Sequence, residues 1–242
     1  MTRLIRALGL CLLALGLVGA GSAHATMHWN VAGVPLAFSK SLEAALDETG
    51  ILHFTFAGNA VLYECNKVEL VGVSLETGGA VKGGNIKFSE CITKINGFTN
   101  PACEPNDSGT NPGVILTSPF DGLLDLHELA GGAKDDITLF TSLVEEVIGG
   151  VKQPVWARLK MGTECPIATN FPIVGPQITL RDVTNGVSNG SELLKELSTH
   201  LVEVGPLTEL WWASKTDEHK AIILGRAKVM LRSHEPWSGN PE

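Results

Sequence analysis

One short motif in the chain has the residue types and spacing of a catalytic nucleophile. Residues 186–190 read Gly-Val-Ser-Asn-Gly, the Gly-x-Ser-x-Gly pattern that in α/β-hydrolases exposes a serine hydroxyl between a strand and a helix. Asp217 and either His219 or His234 follow Ser188 in the order Ser, acid, His that those enzymes use. No His-Gly oxyanion motif precedes the serine, and a segment rich in Gly, Asn and Ser is typical of a surface turn. We therefore expect a turn here and no catalytic activity; a serine hydrolase using Ser188, Asp217 and His219 is an alternative.

A second group of residues could bind rather than react. Trp211 and Trp212 are adjacent, so on a strand one side chain points inward and the other outward. The outward ring could form a stacking surface for a sugar or an apolar ligand. The competing interpretation is that both rings cover a face of a sheet. Trp211 and Trp212 are thus our candidate binding surface.

The sequence gives no sign of a metal or cofactor site. The acidic and histidine residues at 125–128 and 217–219 lack the His-Glu-x-x-His spacing of zinc hydrolases. The oxygen-rich segment 106–109 lacks the full calcium-loop pattern. We predict solvated charges at these places and no cofactor.

The beginning of the chain has the features of a secretory signal. Arg3 and Arg6 precede an apolar run, and Ala23-His24-Ala25 follows it, so we expect cleavage after Ala25 and secretion to the cell envelope or beyond. The run is too short for a transmembrane helix, so we expect no membrane insertion after cleavage. Cleavage would remove two of the 18 basic residues and none of the 26 acidic ones, which changes the net charge from −8 to −10. This charge disfavours binding to nucleic acid.

Four cysteines remain after that cleavage: Cys65, Cys91, Cys103 and Cys165. An even number in an exported chain predicts two disulfides. Four cysteines permit three pairings, and the sequence does not choose between them. Our preferred pairing is Cys91–Cys103, across a short loop, together with Cys65–Cys165.

The pattern between residues 51 and 91 predicts consecutive short strands. Residues alternate between apolar and polar over 51–56, and Val61, Tyr63 and Cys65 then share one face. Gly58-Asn59 between them is a turn pair for a hairpin. With 27 glycines and 12 prolines, the chain favours turns and strands over long helices. We predict a mainly β fold, an antiparallel sandwich or a barrel-like pair of sheets.

Two segments have a helical pattern. Residues 191–204 place Leu193, Leu194, Leu197 and Leu201 at helical spacing, so we predict a helix there. Residues 41–49 could form one or two helical turns ending at Gly50. The Cys- and Pro-containing segment 163–175 is our predicted division. It separates a main β domain, residues 26–165, from a C-terminal β lobe, residues 166–242, which could also belong to the same domain.

The order of several segments resembles a group of secreted, β-rich bacterial proteins that have no established function. The segments are His28-Trp29 near the start, Tyr-Glu-Cys ending at Cys65, Lys-Phe-Ser-Glu-Cys ending at Cys91, and the closing run of residues 225–237. The resemblance implies an all-β fold and a strand where the leucine pattern predicts a helix. It brings no catalytic residues.

These observations together predict a secreted, disulfide-containing, non-catalytic β protein. Its expected role is binding or structural, at the cell surface or outside the cell, with an envelope component as partner. A carrier that encloses a small apolar ligand between its sheets is the first alternative.

Overall fold

Twenty β-strands and two short 3-10 helices make up the described part of a computed structural model. The structure describes residues 27–56, 58–106, 112–128, 134–167, 170–184, 197–205, 207–212 and 220–241. The strands are β1 Met27–Val31, β2 Val34–Pro35, β3 Lys40–Leu46, β4 Gly50–Phe56, β5 Asn59–Val71, β6 Ser74–Leu75, β7 Ala80–Lys82, β8 Asn85–Ile95, β9 Phe98–Thr99, β10 Ile115–Leu116, β11 Phe120–Glu128, β12 Lys134–Ser142, β13 Glu145–Ile148, β14 Val151–Lys160, β15 Asn170–Asp182, β16 Thr199–Val204, β17 Glu209–Trp212, β18 Lys220–Leu224, β19 Arg226–Leu231 and β20 Trp237–Pro241. The 3-10 helices are Thr77–Gly79 and Pro101–Cys103.

Eight strands form a closed antiparallel barrel, which we call the lower ring. Its order is β3, β6, β7, β11, β12, β15, β16 and β19, and β19 pairs back with β3. The fold is therefore mainly β with barrel-like sheets, as the sequence predicts. Strands from both predicted segments, 26–165 and 166–242, take part in this ring.

A second ring continues the first along the barrel axis. This upper ring has the order β4, β5, β8, β10, β14, β15, β17 and β18, and a bridge between Thr117 and Ala157 joins its β10 and β14 sides. Ser41 in β3 faces Ser74 in β6. Gly50 lies nine residues after Ser41, Cys65 lies nine residues before Ser74, and these two residues also face each other. Since the register is unchanged, β3 with β4 and β6 with β5 are halves of two long strands. The other strands also continue from one ring into the other, except that the β13 hairpin is inserted between β12 and β14.

Glycines are concentrated at the level where the two rings meet, which we call the waist. They occupy the junction of the two rings in six of the eight long strands: Gly50, Gly72, Gly83 with Gly84, Gly175, Gly205 and Gly225. Neighbouring backbones approach closely there. A Cβ on Gly84 would lie 1.6 Å from the carbonyl oxygen of Val71, and one on Gly83 would lie 1.7 Å from that of Phe120. Only glycine fits these two positions.

A three-stranded sheet of β2, β1 and β20, the terminal sheet, lies against the lower ring. The buried Trp29 donates from Nε1 to the carbonyl oxygen of Ala80 across 2.8 Å, at the start of β7. Trp237 bridges to Leu197, next to the start of β16. The two tryptophan rings lie edge to face with their centres 5.7 Å apart. The terminal sheet therefore covers the lower end of the barrel with two large buried rings.

Tightly packed side chains fill the upper end. The hydroxyl of the buried Tyr63 lies 3.0 Å from Sδ of Met161, and Thr93 donates to the carbonyl oxygen of Cys103 across 2.7 Å. A disulfide joins Cys103 to Cys165 beside them. Burial raises the pKa of the Tyr63 phenol, so this hydroxyl stays neutral.

Both predicted helical segments are wrong where the structure describes them. Residues 199–204 form β16, and residues 191–196 lie outside the described part of the chain. Residues 40–46 form β3, whose Leu42, Ala44 and Leu46 lie on the barrel's inner side. Both segments also alternate with a period of two, and pairing with strands on either side favours that pattern. No helix of seven or more residues occurs among the residues described.

Candidate functional site

The barrel encloses a cavity of about 190 Å³ at the level of the waist. Its wall consists almost entirely of aliphatic and aromatic side chains from both rings, among them Leu42, Leu70, Phe88, Phe140, Ile178 and Ile223. These side chains reach the cavity because inward and outward positions alternate along every strand. Trp29 and Trp237 border the same cavity on the side of the terminal sheet. An apolar chamber inside a closed barrel can hold an apolar molecule.

Two ionisable side chains interrupt the apolar wall near the terminal sheet. His200, which has no exposed surface, lies on β16, and Asp182 lies at the end of β15. Nδ1 of His200 is 2.7 Å from Oδ2 of Asp182, and Nε2 is 2.9 Å from the carbonyl oxygen of Trp237. Asp182 also accepts hydrogen bonds from the backbone N–H, at 2.8 Å, and the hydroxyl of Thr184.

This arrangement favours the ionised form of Asp182. Burial opposes ionisation of Asp182, but hydrogen bonds from His200 and Thr184 outweigh burial, so the pKa of Asp182 lies below its ordinary value. Each ring nitrogen of His200 lies within hydrogen-bond distance of one oxygen atom, so the imidazole is held in one orientation between β15 and the terminal sheet.

One buried donor on the cavity border has no hydrogen-bond partner among the described residues. It is the indole Nε1 of Trp237, a residue only 5% exposed. Burying an N–H without an acceptor costs about 1–3 kcal/mol. An acceptor atom supplied by a bound molecule would remove that cost.

The disulfides are present, but the preferred pairing from sequence is wrong. Cys65 pairs with Cys91, and Cys103 pairs with Cys165. Cys65 and Cys91 lie directly opposite each other on β5 and β8, within a continuous antiparallel register. Because β5 and β8 pair in this register, Cys91 is joined to Cys65, and Cys103 at the end of the Pro101–Cys103 helix is joined to Cys165.

Trp211 and Trp212 point to opposite sides of β17, and both pack against other side chains. Trp211 is 7% exposed and packs with Val155 and Val174 and with the partly buried Val144 and Ile148. Trp212 packs edge to face on Phe171, with ring centres 6.2 Å apart, against the barrel core.

Most of the other candidate residues from sequence lie outside the part of the chain that the structure describes. Ser188, Asp217 and His219 lie outside the described residues, as do residues 1–25. His234 is exposed, in a turn where its backbone N–H donates to the carbonyl oxygen of Leu231 across 2.8 Å. In the part of the chain that the structure describes, no three His, Cys, Asp or Glu side chains group as a metal site requires. Of the helices described, none is long and apolar enough to span a membrane.

Comparison with known proteins gives no relative. No protein family, curated protein or solved structure matches the chain.

Sequence reasoning missed the site's most specific residues, Asp182 and His200. The available signal was a period-two alternation, which places His200 on the same face as Val202 and Val204 and opposite Thr199, Leu201 and Glu203. The leucine spacing concealed it.

Proposed function

We propose that the protein is an exported, non-catalytic binding protein that holds one small apolar ligand inside its barrel. The supporting observation is the apolar cavity of about 190 Å³ between the packed upper end and the terminal sheet. The interior of an eight-stranded barrel is either filled by side chains or wide enough for one small ligand. Apolar cavities of this kind stay dry and take up apolar molecules.

The cavity limits the size of the ligand. One water-sized group needs about 10–15 Å³ of such volume, so the cavity of about 190 Å³ accommodates roughly 13–19 non-hydrogen atoms. Burying their surface contributes about 25 cal/mol per Å², which supports micromolar binding for a ligand of this size.

The ligand carries a single hydrogen-bond acceptor in this proposal. Trp237 Nε1 is a buried donor that lacks a partner in the described chain, and most of the remaining wall is apolar. A ketone, ester or alcohol oxygen at one end of an apolar body complements both features. A purely hydrocarbon ligand of equal size should bind more weakly.

Export fits the two disulfides, which form and persist in oxidising compartments. A signal cleaved after Ala25 would leave β1 as the first strand of the mature chain. Export and cleavage after Ala25 are both part of the proposal.

Native mass spectrometry of the protein recovered from the producing culture tests the function. The expected result is an added mass that leaves on denaturation. A second test titrates the protein with the neutral fluorescent probe N-phenylnaphthylamine and displaces it with linear ketones of increasing length. Saturable one-to-one binding with displacement supports the proposal. A folded protein that carries no added mass and binds neither probe nor ketone would overturn it.

A further inference from the structure

The barrel wall has a seam at the waist where two adjacent long strands separate. In the lower ring Glu203 of β16 pairs with Arg226 of β19, and in the upper ring Leu210 of β17 pairs with Ala221 of β18. Between these two pairs, no backbone hydrogen bond joins the two strands among the residues described. Val204 pairs only with Leu180 on its other side.

The cavity reaches through the wall at this seam. Inward-facing residues line a cavity in a closed barrel, and outward-facing ones do not. Here the lining includes Glu203, Leu224 and Arg226, which alternate with the inward-facing Val204 and Ala227. Ile51 and Arg181, on the strands next to them, also face outward and line the cavity. Outward residues from both sides of one seam can border an interior space only where the wall is open.

We infer that Val204 and Leu224 border a side portal through which the ligand enters and leaves the barrel. This inference rests on the proposed binding function. Side chains fill the upper end, and the terminal sheet covers the lower end, so the seam is the short path from solvent to the cavity.

Charged pairs hold the strands on both sides of the portal. Arg181 pairs with Glu203 on the β15–β16 side, and Arg226 pairs with Glu48 on the β19–β3 side. Each pair joins strands on its own side, and no ion pair crosses the seam among the described residues. The side chain that narrows the opening is therefore the apolar Leu224, which is 55% exposed.

The test measures the rates of N-phenylnaphthylamine binding by stopped-flow fluorescence in Leu224→Trp and Leu224→Ala. Leu224→Trp should slow association and dissociation together, each by about fivefold or more, with Kd changed less than about twofold, whereas substitutions in a binding wall act mainly on dissociation. Leu224→Ala should speed both rates. Ile222→Trp is the matched control, since Ile222 is 46% exposed on the same face of β18 and does not line the cavity.

The outcomes separate the portal from the binding function. Unchanged rates in Leu224→Trp, with normal equilibrium binding, would overturn the portal alone. A change in Kd carried by dissociation only would place Leu224 in the binding wall and also overturn the portal. A wild-type protein that binds no probe at all would overturn both proposals. Circular dichroism shows that each variant is folded.

Discussion

His200 and Asp182 form a buried hydrogen-bonded pair, with Nδ1 of the imidazole 2.7 Å from Oδ2 of the carboxylate. Through Nε2, His200 also holds the carbonyl oxygen of Trp237, the first residue of β20. The pair therefore links β15 and β16 of the barrel wall to the terminal sheet. The imidazole ring centre of His200 lies 4.2 Å from the ring centre of Trp237, so the two rings are also in contact.

Asp182→Asn should destabilise the protein and change its response to acid. Removing one partner of a buried pair should lower the free energy of unfolding by about 3 kcal/mol at pH 7. The pKa of Asp182 is lowered in the folded state. The stability that its ionised carboxylate contributes is therefore fully present at pH values above the ordinary carboxyl pKa, and it is lost as the pH falls through the lowered folded-state pKa. Urea unfolding at a series of pH values should thus show the variant and the wild type converging below about pH 4.

Glu69→Gln is the control for Asp182→Asn. Glu69 pairs with Lys87 at 3.2 Å on the barrel surface, where exposed ion pairs contribute little. It should leave stability almost unchanged at every pH. A difference between Asp182→Asn and wild type that stays constant from pH 7 to pH 3 would contradict the role of this carboxylate.

Ala44→Phe should fill the cavity. Ala44 lines the chamber on β3, and Ala45 is the exposed next residue on the opposite face of the strand. The added phenyl ring should weaken N-phenylnaphthylamine binding about tenfold or more, which corresponds to at least about 1.4 kcal/mol. Stability should hardly change, because the ring enters existing space. Ala45→Phe should leave binding intact, and equal effects of the two variants in a fluorescence titration would exclude the cavity as the site.

Gly84→Ala should be far more damaging than Gly50→Ala, although both glycines lie at the waist. The new Cβ at Gly84 would lie 1.6 Å from the Val71 carbonyl oxygen, whereas at Gly50 the nearest atom is 3.7 Å away. We expect Gly84→Ala to lower the free energy of unfolding by about 3 kcal/mol. Gly50→Ala should cause no loss. Thermal unfolding measures both variants. Equal unfolding temperatures for Gly84→Ala and Gly50→Ala would contradict the close approach of the Val71 carbonyl oxygen to Gly84.

Ala32→Asn should stabilise the protein. Ala32 and Gly33 join β1 to β2, both with positive φ, as Asn96 and Gly97 do between β8 and β9. Such turns favour Asn-Gly, and an alanine in the left-handed region costs roughly 1 kcal/mol. Ala32→Asn should therefore raise the free energy of unfolding by about 0.5–1 kcal/mol. The reciprocal change Asn96→Ala should lower the free energy of unfolding. It also removes the hydrogen bond that Asn96 Oδ1 accepts from the backbone N–H of Ala60 across 2.9 Å. If both variants changed the free energy of unfolding in the same direction, the turn assignment would be contradicted.

The sequence predicts the fold class well because strand alternation is a local signal. Val61, Tyr63 and Cys65 share a face in the sequence, and all three are buried. Residues 199–204 carry two periodicities at once, and only pairing with β15 and β19 decides between them.

The disulfide pairing and the cavity depend on information that lies far apart in the chain. Cys65 meets Cys91 only because the turn near Gly78 sets one register over the whole length of β5 and β8. The cavity is the space that many inward side chains together fail to fill, so no single residue signals it. The side portal that we infer lies where the β16–β17 and β18–β19 strands do not pair, and no local pattern in the sequence marks that gap.

The meeting of β1 with β20 in the terminal sheet has a consequence for how this chain folds. β3, the first strand of the lower ring, pairs with β19, and β1 pairs with β20, so both closures join the two ends of the described chain. Contacts of such long sequence separation form slowly, because a large loop must close before they stabilise anything. Until the last strands have been delivered, the edges of β1 and β3 stay unpaired and can pair with other chains. We therefore expect the barrel to form late and cooperatively, only after the C-terminal strands have become available to close it.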